Sequence, residues 1–412
     1  MRKDSKFVSA WPTLRRPDNF QGEKPGMNER KRFVSKLVAN FSTLMSVRIL
    51  KRGISVASAV AILAMGGASM CGVFAASFTR GHTPPRARVV IVEDARAIDA
   101  FRPRPERIRE MVSEGITNLT RTASVTDGWR TLVSTQDVVG IKVFSTPGAN
   151  SGTRPAVVAA VVEGLLAAGL APRHIVVWDR HLTDLRLAGF FELATRYGIR
   201  IAASQQSGFD ENAYYDTPLP GTLIWGDLEF GKKGGSVGRK SFVTKLLTQE
   251  VSKIINITPL LNHDLAGVTG NLYSLAMGSV DNTVRFEKEA DYLAQAVPEI
   301  CALTNLSDHV VLNITDALIC QYEGEERGLL HYSAVLDQLR FSRDPVALDL
   351  LSLKELDAQR RAANAPKVKP NPDLYDNAAL LWLGVANTNQ IDIEMLKIPG
   401  GESQALREFR YP

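Results

Sequence analysis

Short apolar runs alternate with longer stretches of helical spacing along most of this chain. Val89-Val90-Ile91-Val92 reads as a strand, and residues 104–118 carry apolar positions at helical spacing. Val138 to Val143 is the next strand. Pro155 to Leu170 is a helix, with Thr153 placed to cap it and Gly169 near its end. Ile175 to Trp178 is a third strand that ends at Asp179-Arg180, followed by a helical stretch from Asp184 to Tyr197 and a strand from Ile199 to Ala203. After an interruption, the run ending at Ile257 reads as a buried strand. It opens into a loop carrying Asn262, His263, Asp264, Thr269 and Asn271. A helix is expected from Asn282 through Leu303, then a strand from Val310 to Ile314 ending at Asp316. The last helix is expected over 346–361, entered through Asp344-Pro345.

This alternation predicts an α/β fold, a mostly parallel sheet with helices on both faces. The interruption, residues 205–240, is rich in Gly, Tyr, Pro and Asp and reads as an irregular mid-chain insertion. Within it GKKGGSVGRK (231–240) is expected to be a turn or hairpin tip. Ala365 to Pro372 reads as a surface loop.

Charge divides the chain. Its 412 residues carry a net charge of +5, but residues 1–52 hold 13 basic and 4 acidic side chains. The remaining 360 residues hold 36 basic and 40 acidic groups, so the body is slightly acidic. A nucleic-acid-binding fold needs its basic patch on the domain itself, which argues against that class. Residues 54–78 contain no charge, and Lys51-Arg52 stands just before them. That length suffices to cross a bilayer as a helix, although the many small residues also fit the apolar region of an export signal, and a buried helix of the fold is a third reading. The organisation expected is therefore a basic leader (1–53), a signal or transmembrane segment (54–78), a linker (79–87) and an α/β body (88–412). In either export case the body faces away from the cytoplasm, because the basic excess stays inside.

Polar groups at the carboxyl ends of parallel strands are where α/β folds bind ligands. On that basis His263 and Asp316 are the candidates for acid/base work, with Asp316 orienting the set. Lys142 and Arg180 are placed to hold an anionic group. Asp179, Thr269 and Asn271 complete the ligand-binding candidates, and a helix-capping role is the structural alternative for each strand-end Asp. No HxxH or HxxxH spacing is present, so no metal site is expected. Beyond Cys71 only Cys301 and Cys320 remain, which gives no basis for an iron–sulfur cluster. Two separate buried thiols are the favoured reading of these two, with a single disulfide as the alternative.

Several stretches resemble the domain of unknown function 362 family. They are Asp137 through Val143, Val177 through Arg180, Ile255-Asn256-Ile257, His263 through Gly270, Asp316-Ala317-Leu318, Ser342 through Asp349, and Asn377 through Leu380. The resemblance covers residues 88–395 and implies an α/β fold and, in many relatives, an export signal of twin-arginine type. It implies no particular reaction or cofactor. The chain departs from the pattern at three places. Leu261 stands where the pattern has Lys, Tyr273-Ser274 where it has Lys-Asn, and Phe286-Glu287 near an expected His. The function expected is an exported or membrane-tethered protein with a polar ligand-binding cleft around His263 and, if it is an enzyme, one acting on a small anionic ligand. The alternative is a non-catalytic binding or scaffold protein that has lost the family's site lysines.

Overall fold

A computed structural model describes residues 86–217, 238–366 and 371–399. Pro84–Pro412 forms one compact unit. The leader, the uncharged segment 54–78, the tip at 231–237 and much of the 365–372 loop lie outside the described residues.

In chain order the main elements are β1 (Ala87–Glu93), α1 (Pro105–Thr120), α2 (Val125–Leu132), β2 (Val139–Val143), α3 (Pro155–Ala167), β3 (Ile175–Asp179), α4 (Leu182–Leu187), α5 (Phe190–Tyr197) and β4 (Arg200–Ala203). An antiparallel pair follows, β5 (Phe209–Asp216) with β6 (Lys240–Thr244). The second half adds β7 (Lys253–His263), β8 (Gly267–Val268), α6 (Asn271–Ser279), α7 (Ala290–Cys301), β9 (Val310–Gln321), β10 (Ser333–Ser342), α8 (Pro345–Ala362), α9 (Pro372–Leu380) and β11 (Ile391–Lys397).

The main sheet runs in the order β11-β1-β10-β9-β7-β2-β3-β4, with β8 hairpinned onto β7. Only β10 is antiparallel to its neighbours in this row. The fold is thus α/β with a mostly parallel sheet, as the alternation of signals requires. The five central strands read as apolar runs because helices bury both faces. One core packs α1, α2, α3 and α5 on the first face, around Ile108, Met111, Trp129, Val161, Leu165 and Phe341. The other packs α6, α7 and α9 on the second face, around Trp178, Leu272, Leu293, Val297 and Tyr375.

The strand order places a switch point between β2 and β7. From β2 the chain moves outward through β3 and β4, the β2-to-β3 helix α3 lying on the first face. It then returns to the other side of β2 as β7, and the next helix, α6, lies on the second face. The diverging helices leave a crevice above the carboxyl ends of these strands.

Five expectations are corrected. β7 runs on to His263, so Asn262 and His263 belong to a strand. β9 runs on to Gln321, which puts Asp316 in mid-strand. The segment 271–279, expected as part of a loop, is the helix α6, and the helix expected from Asn282 begins at Ala290. Thr153 does not cap α3; its hydroxyl donates to the Ile257 carbonyl and accepts from the Phe144 amide, tying the segment before α3 to β7 and to the end of β2. Asp344 does cap α8, accepting from the Ala347 amide at 2.8 Å.

Candidate functional site

α6 is uncharged and buried along its whole length, so its polar groups need partners inside the protein. They find them on the sheet and on α8. The Asp349 carboxylate accepts from the Asn271 amide (2.7 Å), the Asn271 side chain (3.0 Å) and the Leu272 amide (3.1 Å). It thereby satisfies the amino end of α6, where backbone N–H groups have no partner within the helix. Burial raises this carboxyl to about 6, against the pull of those three donors. The contact leaves no room for a side chain at Gly270, whose Cβ would lie 2.2 Å from Asp349 Oδ1. Asn256 and Thr315 hold Asn271 from the sheet side.

Lys142 is fully buried beneath the same helix. Its ammonium donates to Asp179 Oδ1 (2.9 Å), the Val143 carbonyl (2.6 Å) and Ser274 Oγ (3.2 Å), which uses all three of its protons. Burial lowers its pKa, with Asp179 opposing the shift. Asp179 in turn accepts from the amide and hydroxyl of Ser145 and from the Arg180 amide. Gly278 makes this packing possible, because a Cβ there would meet Lys142 Cε at 2.1 Å.

Above this pair a cleft of about 260 Å³ opens at the switch point. The loops after β2 and β3 supply Phe144, Thr146, Arg180 and His181, and α4 supplies Asp184. Tyr273, Ser274, Met277 and Gly278 of α6 form one wall, and Glu287 and Glu326 stand on the far side. Four carboxylates therefore face one guanidinium. Asp179 is engaged by Lys142, and Arg180 donates to Thr283 Oγ1 (2.7 Å), which donates to Glu287 (2.7 Å). Glu326, at the open rim, has its carboxyl raised by partial burial and further by Glu325, Asp179, Asp184 and Glu287. Burial also raises the Tyr273 hydroxyl, with the nearby glutamates adding to the effect. Among the described residues no group of His, Cys, Asp and Glu side chains has the arrangement to hold a metal ion.

The sequence model of the domain of unknown function 362 family matches residues 139–354. The chain belongs to that family. No curated protein matches it. Among solved structures it is similar to a protein from Thermotoga maritima determined by the Northeast Structural Genomics Consortium, at 12% identity and a TM-score of 0.36. That alignment covers 65% of this chain and 61% of the other.

The family segments distribute the expected site residues unevenly. Asp179 and Arg180 line the cleft, and Lys142 lies directly beneath it with its donors already engaged inside the protein. His263 stands behind the wall. Its Nδ1 accepts from the Leu265 and Ala266 amides at 3.2 and 3.1 Å, which places the proton on Nε2. Burial lowers its pKa, and its ring packs on Tyr273 with centroids 4.2 Å apart. Thr269 and Asn271 are fully buried and bonded to strand, helix and α8.

Asp316 does not join the set. It faces the first side of the sheet, pairs with Arg154 at 2.8 Å, and accepts from the Arg154 and Leu318 amides. A strand longer than its apolar run explains the displacement. Sequence reasoning missed Asp184 and Glu326 as cleft residues. Tyr273, Ser274 and Glu287 carried a signal, because they are positions where the chain departs from the family pattern. Glu326 lies in a short turn, Glu325–Arg327, and carried none.

Proposed function

We propose that this chain is a membrane-tethered or exported binding protein whose cleft takes a small polar ligand bearing a cationic amine or guanidinium. The observation that carries the reading is the charge of the cleft at the switch point. Among the described residues that line the cleft, Asp184, Glu287 and Glu326 outnumber the guanidinium of Arg180, and Lys142 is held away from the opening. An anionic ligand, the expectation from sequence, would meet these carboxylates at close range, where like charges repel. The departures from the family pattern point the same way. Tyr273-Ser274 and Glu287 remove the cations of that pattern from positions that line the cleft.

Spermidine is a suitable cationic probe, with inorganic phosphate as its anionic counterpart, each titrated by calorimetry. Spermidine should bind, and Glu287→Gln with Glu326→Gln should weaken it at least tenfold. Phosphate binding that survives this double variant and is lost in Arg180→Ala would overturn the cationic reading. Glu326 favours a second reading, an acid/base enzyme, because a raised carboxyl on a cleft wall is suited to proton transfer.

Placement follows from the leader. The uncharged span 54–78 behind Lys51-Arg52 supports delivery to or across the cytoplasmic membrane with the body outside. A fusion of residues 1–100 to a reporter active only outside the cytoplasm tests this, and activity confined to the cytosolic fraction would refute it.

A further inference from the structure

At the rim of the sheet opposite the cleft, a shallow groove of about 550 Å³ runs past the start of β1, the end of α1 and the turn after α9. Three features set it apart. Trp382 is 79% exposed and the adjacent Leu380 63% exposed. Trp382 also holds a left-handed backbone, φ 63°, at the position after a helix where glycine is the usual residue. A tryptophan there gains nothing from burial and is disfavoured by its backbone. Beside it Arg121 and Arg343 are exposed, and their guanidinium groups have no partner among the described residues. Arg86 and Arg88, by contrast, are matched by Asp392 and Glu394.

The groove also lies where the chain enters the fold. Arg86 and Ala87 line it, and seven residues, 79–85, separate them from the uncharged span 54–78. Fully extended, seven residues reach at most ~25 Å.

From these features we infer that the face formed by Leu380, Trp382, Leu383, Arg121 and Arg343 docks on an anionic bilayer surface, resting on the tethered reading above. Tryptophan sits at the headgroup level of membranes, and arginines near an anionic surface are attracted to it. The short linker makes the contact effectively intramolecular, so a small patch suffices.

The full chain in nanodiscs of phosphatidylcholine and phosphatidylglycerol, with and without brominated acyl chains, tests this by tryptophan fluorescence. The wild type should be quenched by brominated lipid, and Trp382→Phe should lose at least half of that quenching. Equal quenching in both would overturn the proposal. The compact unit 84–412 separates the docking face from the anchor. It should sediment with phosphatidylglycerol vesicles and not with pure phosphatidylcholine, and Arg121→Glu with Arg343→Glu should lower binding at least fivefold. A unit that ignores both vesicles, or that forms a dimer dissolved by the double charge reversal, would overturn the proposal and, in the second case, assign the face to another copy of this chain. Alkaline carbonate extraction of the full chain reports on the anchor alone: release of the chain with vesicle binding by 84–412 intact would remove the anchor and leave the docking face standing.

Discussion

Asp349 offers the sharpest test of how this structure is held together. Its carboxyl is fully buried and raised from an ordinary 3.8 to about 6, burial outweighing the hydrogen bonds from Asn271 and Leu272. The unfolded chain titrates this group near the ordinary value. Between the two values the native state binds more protons than the unfolded state, so stability falls as pH rises. The contribution is fully present below about pH 4 and lost above about pH 6, and a shift of about two units corresponds to about 3 kcal/mol. Asp349→Asn cannot titrate and lacks this slope. The amide keeps one acceptor for the Asn271 donors but turns an NH₂ toward the Leu272 amide. That mismatch costs about 1–3 kcal/mol, since a buried donor is left unmade. Its penalty relative to wild type should therefore be largest in acid and shrink toward neutral pH. Asp349→Ala leaves three donors without a carboxylate and also lacks the slope, so its cost, about 3–5 kcal/mol in acid, should likewise shrink toward neutral pH. Urea titrations of the three proteins from about pH 4 to 8 measure these differences directly. An Asp349→Asn variant with the wild-type slope between pH 4 and 6 would refute the reasoning.

Two further perturbations separate structure from ligand binding. Lys142→Met should cost about 3–5 kcal/mol because it leaves Asp179 buried without its cation, and adding Asp179→Asn should recover part of that loss in thermal melts. Asp316→Asn should cost a similar about 3–5 kcal/mol by breaking the buried pair with Arg154, while spermidine affinity by calorimetry stays within twofold of wild type.

The apolar runs and helical spacings were enough to read the α/β class, because strands covered on both faces leave continuous Val and Ile runs such as Ile175 to Trp178. Legibility failed where polarity was internal. β7 and β9 carry Asn256, Thr258, Asn313 and Thr315 at buried positions, which made the strands look shorter than they are. β10 and β11 lie toward one edge with half-exposed faces, so Ser333–Ser342 and Ile391–Lys397 gave no clear apolar run. Asp179 and Arg180 were legible as residues at the cleft because they end a short apolar strand. His263 was not correctly placed, because the glycines and polar residues around it resemble a binding loop while forming a hairpin. Cys301 and Cys320, favoured as separate buried thiols, are separate and buried.

Polar residues that look like a site are, in large part, its support. In the strand registers Lys142 lies beside Asn256, Asn256 beside Asn313, and Asn313 beside Ser342. A polar row thus crosses four strands under helices that are otherwise packed on apolar side chains. An apolar row would stabilise a helix there without fixing its position, since hydrophobic contact has no direction. Hydrogen bonds do have direction. Asn256 and Asp349 grip the amino end of α6, and Lys142 reaches Ser274 one turn further along. Those bonds fix the rotation and register of α6, and that rotation is what turns Tyr273, Met277 and Gly278 toward the cleft. The family segments therefore specify a rigid wall, while two carboxylates that line the cleft, Glu287 and Glu326, come from turns. A fold built this way can change the charge of its cleft by altering those turns, without disturbing the row that holds α6 in place.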